Sequence, residues 1–340
     1  MGPVRKPEKP EKPSAHKVVS DHSLSQQYGG VHGGGWVSHL PSSWAPYIQL
    51  ARLSPPAGLF LIFFPHLFGI LHAAALQHSP PREVARASVL LLGASFFFSN
   101  AIHAWNDLVD APVDRMVART QHRPIVRGAV SPRAAFVFTA SQAFAAALFL
   151  PLLPAETSRW ALANIPAVLY YPWAKRHTHF AQVVLGLWLG WGSLVGSSAM
   201  GLRPSEESPS LYLLAVCILW TTIYDTVYAH QDVADDKAIG LKSMAVLFGN
   251  RTKLILWPIL GLVIVLLTAV GVEADLGLLY FILAVGGCAS SLGAMIAMVE
   301  LGDSYSCWLW FKYGFWFTGG FITAGLASAS SLFQGLWPYG

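Results

Sequence analysis

Nine long apolar segments, separated by short polar breaks, constrain this chain more than any other feature of its sequence. A helix that crosses a bilayer needs about 20 predominantly apolar residues and satisfies its own backbone hydrogen bonds. These segments are too long and too uniformly apolar for barrel strands. We therefore predict an all-α integral membrane protein, a bundle of about nine transmembrane helices. The predicted spans are 56–77, 85–106, 134–153, 158–173, 182–201, 209–229, 254–272, 276–298 and 308–333.

The composition of the chain excludes several other classes of protein. Of the 340 residues, 54% are hydrophobic and only 12% are charged, about half the charge of a soluble domain. Low charge and high hydrophobicity exclude disorder for most of the chain. The net charge of +4 and the absence of a long basic stripe argue against nucleic-acid binding. The three cysteines form no CxxC pair, so we expect neither a disulfide framework nor a thiolate metal site.

The first 45 residues differ in composition from the rest. They carry Lys-Pro and Glu-Pro repeats and then a cluster of glycines, and they contain no apolar segment that could form a core. The sequence predicts a disordered cytosolic tail over 1–45 and a transmembrane domain over 46–340. The tail lacks the apolar core of a signal peptide and the Arg- and Ser-rich composition of a mitochondrial transit peptide, so we expect neither.

The distribution of positive charge predicts the orientation of the bundle. With the N-terminus inside, the predicted outer segments contain only four of the 22 Lys and Arg residues, namely Arg82, Arg86, Arg159 and Arg203. Lysine and arginine are enriched in cytosolic loops of membrane proteins. This asymmetry favours nine spans, with the tail and the even-numbered loops on the cytosolic side. We expect the lipid bilayer to be the principal partner, and no feature indicates an obligate protein partner.

Two clusters of acidic residues lie at the inner ends of the second and sixth predicted spans. On a helix, the spacing of Asn106, Asp110 and Asp114 places them in one stripe. Asp225, Asp232 and Asp236 are also expected in a narrow sector of one helix. Such groups could simply be solvated charges at helix ends. However, like charges on one face repel each other, and aspartates at a membrane boundary are costly unless something binds them.

A divalent cation with a diphosphate explains both clusters. Mg²⁺ prefers oxygen ligands and is usually held by one or two carboxylates together with substrate phosphates. Basic residues that could bind phosphate oxygens follow on the same side of the membrane. They could equally enforce topology alone, and the two roles are compatible. The candidates are Arg119, Arg123, Lys175, Arg176 and Lys242.

Pro112 lies inside the first cluster. Proline lacks a backbone N–H and clashes with the carbonyl group four residues earlier, here that of Leu108. The helix is therefore expected to bend or end at this residue. The direction of Asp114 is accordingly less well defined by the sequence than that of Asp110.

These motifs carry a family resemblance. The segments 106–114, 119–128, 171–182 and 224–243 resemble, in this order, the motifs of the UbiA superfamily of intramembrane prenyltransferases. The resemblance covers nearly everything from Arg52 to the C-terminus. It is strongest to the 4-hydroxybenzoate polyprenyltransferase branch, including fungal enzymes that farnesylate aromatic polyketides in meroterpenoid biosynthesis.

The resemblance implies a UbiA-like helical bundle and a Mg²⁺-dependent transfer of a prenyl group from its diphosphate to a phenolic acid or polyketide. It favours farnesyl as the prenyl group. It implies Asn106, Asp110, Asp114, Asp232 and Asp236 as metal ligands. It implies catalytic roles for the four aspartates of that set and for Lys175. Implied contacts with substrate are Arg52, Arg119, Arg123, Tyr171, Lys175, Arg176, Asp225, Tyr228 and Lys242. For Arg52, a topology anchor is an equal alternative to binding of the acceptor carboxylate or the diphosphate.

Two alternative functions are compatible with the same residues. The first is a 4-hydroxybenzoate polyprenyltransferase of ubiquinone biosynthesis, which would place the protein in the mitochondrial inner membrane. The second is a cation-coupled transporter, since carboxylates within membranes also mark ion paths. A transporter would place its acids near the middle of the membrane, whereas these cluster at one face. We expect a multi-pass protein of the endoplasmic reticulum or Golgi membrane.

Overall fold

The computed structural model describes residues 35–54 and 56–330. This range is mostly helical and contains no strand. Residues 1–34 of the predicted tail lie outside it. A short 3₁₀-helix, Gly35–His39, precedes the bundle, and Val37 within it is buried. The boundary between tail and domain at residue 45 stays a prediction.

The α-helices follow one another with short connections. Pro65 and Pro258 lie inside long helices without ending them. One segment of the last helix but one, Phe281–Gly286, is a π-helix. In chain order the helices are α1 Ala45–Leu50, α2 Ala57–Gln77, α3 Pro81–Asp114, α4 Pro132–Ala147, α5 Ala155–Ala163, α6 Ile165–His177, α7 Ala181–Gly190, α8 Gly192–Ala199, α9 Ser208–Ala229, α10 Val233–Ala238, α11 Met244–Phe248, α12 Thr252–Glu273, α13 Leu278–Met298 and α14 Ser304–Ala329.

Every predicted span has a helical counterpart, but the count of nine spans is not confirmed. Within the described residues, six helical segments are long and apolar enough to cross a membrane. The fourth and fifth predicted spans are each divided into two short helices, α5 with α6 and α7 with α8. Asn164 separates the first pair, and Pro166 in the first turn of α6 suits the start of a new helix. The prediction of an all-α membrane fold is confirmed.

Glycines allow α7 and α8 to approach their neighbours closely. A Cβ atom added at Gly186 would lie 2.6 Å from the carbonyl oxygen of Ile218 in α9. One added at Gly192 would lie 2.9 Å from the His66 ring in α2. Small residues at such spacing permit tight helix packing within membranes. The close approach lets α7 pack on α9 and α8 pack on α2.

An aromatic core joins α2, α9 and α14. Phe64 of α2 lies 6.3 Å from Trp220 of α9 and 6.5 Å from Phe315 of α14, measured between ring centroids. Tyr224 continues the cluster and lies 5.8 Å from Phe311. Aromatic pairs at these distances add to the stabilisation from burial. The cluster fixes the inner half of α9, immediately before the second acidic motif.

Candidate active site

The first acidic motif forms the last turns of α3. The helix continues past Pro112 and ends two residues later, at Asp114. A proline so close to the end of a helix removes few hydrogen bonds, which explains why it is tolerated. Asn106 donates a hydrogen bond to Asp110, with 2.7 Å between Nδ2 and Oδ2. Asn106, Asp110 and Asp114 all line one cavity, which we call the site cavity.

Asp107, in the same motif, has a different environment. Its carboxylate is fully buried and contacts Arg52 at 2.8 Å and Arg123 at 3.1 Å, both through Oδ1. Arg123 also pairs with Asp114 at 2.7 Å. A buried carboxylate is retained only where opposite charges compensate it. Asp107 therefore fixes two arginines that line the site cavity, and sequence reasoning gave it no role of its own.

The second acidic motif does not lie on one continuous helix. The chain leaves α9 at Ala229, passes through a 3₁₀-turn at His230–Asp232 and enters α10. The expected common sector for Asp225, Asp232 and Asp236 assumed an unbroken helix and is wrong in that respect. A 3₁₀-turn has a different angular step from an α-helix. Asp225 and Asp236 nevertheless line the site cavity, whereas Asp232 lies behind Arg119.

Arg119 connects the two motifs. Its guanidinium donates to Asp232 at 2.6 Å and 2.9 Å and to the Tyr228 hydroxyl at 2.9 Å. Burial alone would disfavour the charged guanidinium, but the Asp232 carboxylate outweighs this effect and raises the pKa of Arg119 above its usual value. The side chain is therefore a permanent cation. The loop after α3 is thus held against the turn before α10.

Two glycines with left-handed backbone conformations, Gly240 and Gly128, end the segments that carry the site residues. Gly240 has φ of 74° just after α10, and the following N–H, of Leu241, donates to the Asp236 carbonyl at 2.8 Å. This arrangement is a common way for a helix to end at glycine. It fixes the last turn of α10, which carries Asp236. Gly128, with φ of 76°, ends the loop that carries the arginines.

The site cavity has a volume of about 150 Å³ and takes its walls from several helices. Aromatic side chains line it beside the polar ones, as expected of a pocket that excludes water. These are Trp105, Tyr171, Trp188, Tyr224, Tyr228 and Phe311. The predicted polar residues that line it are Arg52, Asn106, Asp110, Asp114, Arg119, Arg123, Tyr171, Lys175, Arg176, Asp225, Tyr228 and Asp236.

Lys242 is not among the residues that line the site cavity. Its ammonium group donates to the carbonyl oxygen of His177 at 3.3 Å, and its backbone N–H donates to the carbonyl oxygen of Lys175 at 2.8 Å. These contacts tie the chain after α10 to the end of α6. Lys242 therefore holds the segment that carries Lys175.

The oxygen ligands of the cavity suit Mg²⁺. Across residues 35–54 and 56–330, no three His, Cys, Asp or Glu side chains converge closely enough to hold a metal by themselves. This fits an ion that takes one or two carboxylates and completes its shell with phosphate and water. Asp236 Oδ2 is buried and has no hydrogen-bond partner in that part of the chain, so it is an unsatisfied acceptor beside the cavity. Asp110 makes a long ion pair with Arg176, with 3.4 Å between Oδ1 and Nη2.

The fold and the site together define an intramembrane prenyltransferase with paired aspartate motifs. The sequence profile described as the UbiA prenyltransferase family matches residues 62–319. The chain belongs to the UbiA prenyltransferase family. It is an enzyme, an aromatic prenyltransferase with many segments in the membrane.

Individual relatives agree with this assignment. The prenyltransferase stbC of Stachybotrys bisbyi is 37% identical over 298 residues, covering 85% of this chain and 90% of that protein. The mitochondrial 4-hydroxybenzoate polyprenyltransferase of Saccharomyces cerevisiae is 37% identical over 82% of this chain and 75% of its own length. The DMOA farnesyltransferase nvfB of Aspergillus novofumigatus is 34% identical over 74% of this chain and 80% of its own.

A solved structure shares the fold. A UbiA homologue from Archaeoglobus fulgidus, bound to GPP and Mg²⁺, superposes with a TM-score of 0.65 at 19% identity. The match covers 83% of this chain and 99% of that one. Family membership decides between the enzyme and the transporter, and it favours the enzyme.

Proposed function

We propose that this enzyme transfers a farnesyl group from farnesyl diphosphate to an aromatic phenolic acid or polyketide and releases diphosphate. The observation that carries this proposal is the meeting of both acidic motifs and five basic side chains at one aromatic-walled cavity. The printed name of nvfB, a farnesyltransferase, supports the choice of donor. Fungal relatives support a role in meroterpenoid secondary metabolism.

The polar end of the site cavity binds the diphosphate in this proposal. Bound Mg²⁺ supplies a Lewis acid that neutralises charge on the leaving diphosphate. Asn106, Asp110 and Asp114 would supply ligands from one motif, and Asp232 and Asp236 from the other, with each ion taking one or two of these carboxylates. Lys175, Arg119 and Arg123 bind the remaining phosphate oxygens. Each guanidinium can form two parallel hydrogen bonds to phosphate, as Arg119 now does to Asp232.

The aromatic walls protect the reacting carbon. When the allylic C–O bond breaks, positive charge develops on the prenyl group, and the acceptor ring carbon attacks it. Three aromatic rings that line the cavity exclude water and stabilise a cation through their faces: those of Tyr171, Tyr228 and Phe311. The ring centroids of Tyr228 and Phe311 lie 4.4 Å apart. The acceptor ring then loses a proton, for which Asp225 in the cavity wall is a nearby carboxylate.

Arg52 binds the carboxylate of the acceptor in this proposal. It lies in the turn that follows α1, in a left-handed backbone position with φ of 54°, and its side chain pairs with Asp107. A guanidinium has five N–H donors, so contact with Asp107 is compatible with binding of a second carboxylate. Arg176, more exposed at the rim, is placed to contact incoming anions.

A second candidate function is 4-hydroxybenzoate polyprenylation for ubiquinone. The yeast enzyme with this name is as similar in identity as stbC, at 37%. We propose the endoplasmic reticulum or Golgi membrane as the location of the chain. Imaging of the tagged full-length protein separates the two functions: mitochondrial signal would favour ubiquinone biosynthesis.

The test of the proposed function is an assay of purified enzyme in lipid with a panel of substrates. Geranyl, farnesyl, geranylgeranyl and longer diphosphates are each offered with 4-hydroxybenzoate and with orsellinic-acid-type phenols, and products are read by mass spectrometry. We expect the highest kcat/KM for farnesyl diphosphate with a polyketide-type acid. Preference for long polyprenyl donors and 4-hydroxybenzoate would support the ubiquinone function instead.

A further inference from the structure

A second, mostly apolar cavity lies next to the site cavity. Its volume is about 170 Å³, and its walls come from α2 through α8. No group of the two acidic motifs lines it. The proposed bond-breaking and bond-forming steps take place in the site cavity, and they do not use the second cavity.

Three side chains line both cavities and form a partition between them: Ile62, Trp188 and Leu189. Trp188 is the largest of the three and is 7% exposed. Asn164 donates to its backbone carbonyl oxygen at 2.8 Å, which fixes the turn of α7 that carries it. The indole N–H has no hydrogen-bond partner in the part of the chain that the structure describes. A buried Trp usually has one, so the ring is held by packing alone.

The site cavity is too small to hold a whole prenyl tail together with the diphosphate and the acceptor. A cavity of about 150 Å³ is known to hold one benzene molecule. Once the diphosphate, the reacting isoprene unit and the acceptor are bound, the distal isoprene units must lie elsewhere. The second cavity is adjacent and apolar, and on the same scale it holds on the order of one or two isoprene units.

We propose that Trp188 determines the length of the donor, because the distal end of the prenyl tail reaches the second cavity only past its indole ring. This inference rests on the proposed function, since it assumes a prenyl diphosphate donor. The indole is larger than one isoprene unit. Replacing it by a methyl group therefore makes room for at least one further unit.

The wall that α4 contributes to the second cavity offers an independent way to change its volume. Ala143, Ala146 and Ala147 line it from one face of α4. Their small side chains leave the space that the tail would occupy. A larger side chain at Ala146 would fill the cavity from α4, a different helix from the one that carries Trp188, and Ala146 does not line the site cavity.

The first experiment compares donors of three lengths in wild type and Trp188→Ala. We expect the ratio of kcat/KM for geranylgeranyl over farnesyl diphosphate to rise at least fivefold in the variant, and that for geranyl over farnesyl to fall or stay constant. Trp188→Phe should give an intermediate ratio. An unchanged ratio in a folded, active variant would overturn the proposal.

The second experiment adds Ala146→Leu in both backgrounds. We expect this change to lower the ratio for the longer donor in the wild type and to reverse most of the gain in Trp188→Ala. The matched control is Ala140→Leu, the same substitution at an exposed position of α4 that does not line the cavity. Equal effects of the two leucine variants would overturn the proposal.

A binding measurement keeps the test independent of turnover. Thermal stabilisation by non-reactive thiodiphosphate analogues of the same lengths should follow the same order as kcat/KM in each variant. If the wild type forms no product with any donor, the proposed function fails. If it forms product but its length preference and analogue binding ignore Trp188 and Ala146, only this inference fails.

Discussion

Arg119 and Asp232 join the two acidic motifs through a two-pronged ion pair, with 2.6 Å between Nη2 and Oδ2 and 2.9 Å between Nε and Oδ1. Both side chains are less than a tenth exposed. Such a pair needs both partners, because removal of one leaves an uncompensated buried charge. Arg119 therefore pairs with the carboxylate of Asp232, which we propose as a metal ligand. Donor binding would accordingly move the guanidinium from Asp232 to a phosphate.

The first prediction separates stability from activity at this pair. Arg119→Met should lower the melting temperature clearly, since breaking a buried pair costs about 3–5 kcal/mol. The double variant Arg119→Met with Asp232→Asn should recover much of that stability, because no buried charge remains unpaired. Both variants should lose at least tenfold in kcat/KM. A double variant that regains activity together with stability would show that the pair is only structural.

The second prediction concerns Asp107. Asp107→Asn removes the charge that compensates Arg52 and Arg123. We expect KM to rise at least fivefold for the aromatic acid, the diphosphate or both, because these arginines lose their fixed positions. Asp275→Asn is the control: it makes the same change at a left-handed position, with φ of 48°, where asparagine is favoured. Equal kinetics for the two variants would contradict the positioning role.

The third prediction uses two neighbouring aspartates of α10. Asp236→Asn should raise the Mg²⁺ concentration for half-maximal activity and reduce kcat at least tenfold, because its carboxylate borders the site cavity. Asp235 instead accepts a hydrogen bond from the Ala118 N–H at 2.8 Å. An amide oxygen can replace that acceptor. Asp235→Asn should therefore stay within about threefold of wild type, and a reversed order would refute this assignment.

The fourth prediction tests the orientation and the number of spans. The three native cysteines are buried, so single cysteines introduced at Glu206 and Lys237 can be labelled selectively. A membrane-impermeant maleimide should label Glu206→Cys only from the side of the membrane opposite to the cytosol. It should label Lys237→Cys only from the cytosolic side. Labelling of both from one side would show that the segment Ser208–Ala238 does not cross the membrane.

The sequence predicted the membrane class, and it named most of the polar residues that line the site cavity. Both depend on local patterns. Apolar runs of bilayer length give the helices, and the spacing of Asn106, Asp110 and Asp114 within one helix gives their common face. The breaks at Asn164 and Trp191 were missed, since apolar runs continue across them. Composition records hydrophobicity there but not the local change of helix direction.

Long-range pairing was the other feature that local patterns could not provide. Arg119 and Asp232 are 113 residues apart in the chain, and no spacing rule links them. The burial of Asp107 between two arginines depends on where Arg52 folds back. The position of Trp188 between two cavities likewise requires the packing of α7 against α2 and α6.

The most direct test of the account is a Mg²⁺ titration of EDTA-treated wild-type enzyme in lipid, with prenylated product and released diphosphate measured together. The account predicts turnover below about one hundredth of the Mg²⁺-saturated rate in EDTA, a barrier difference of roughly 2.7 kcal/mol or more. Added Mg²⁺ should restore both products in equal amounts. Full turnover in excess EDTA, or product formed without diphosphate release, would contradict the joint metal and diphosphate site.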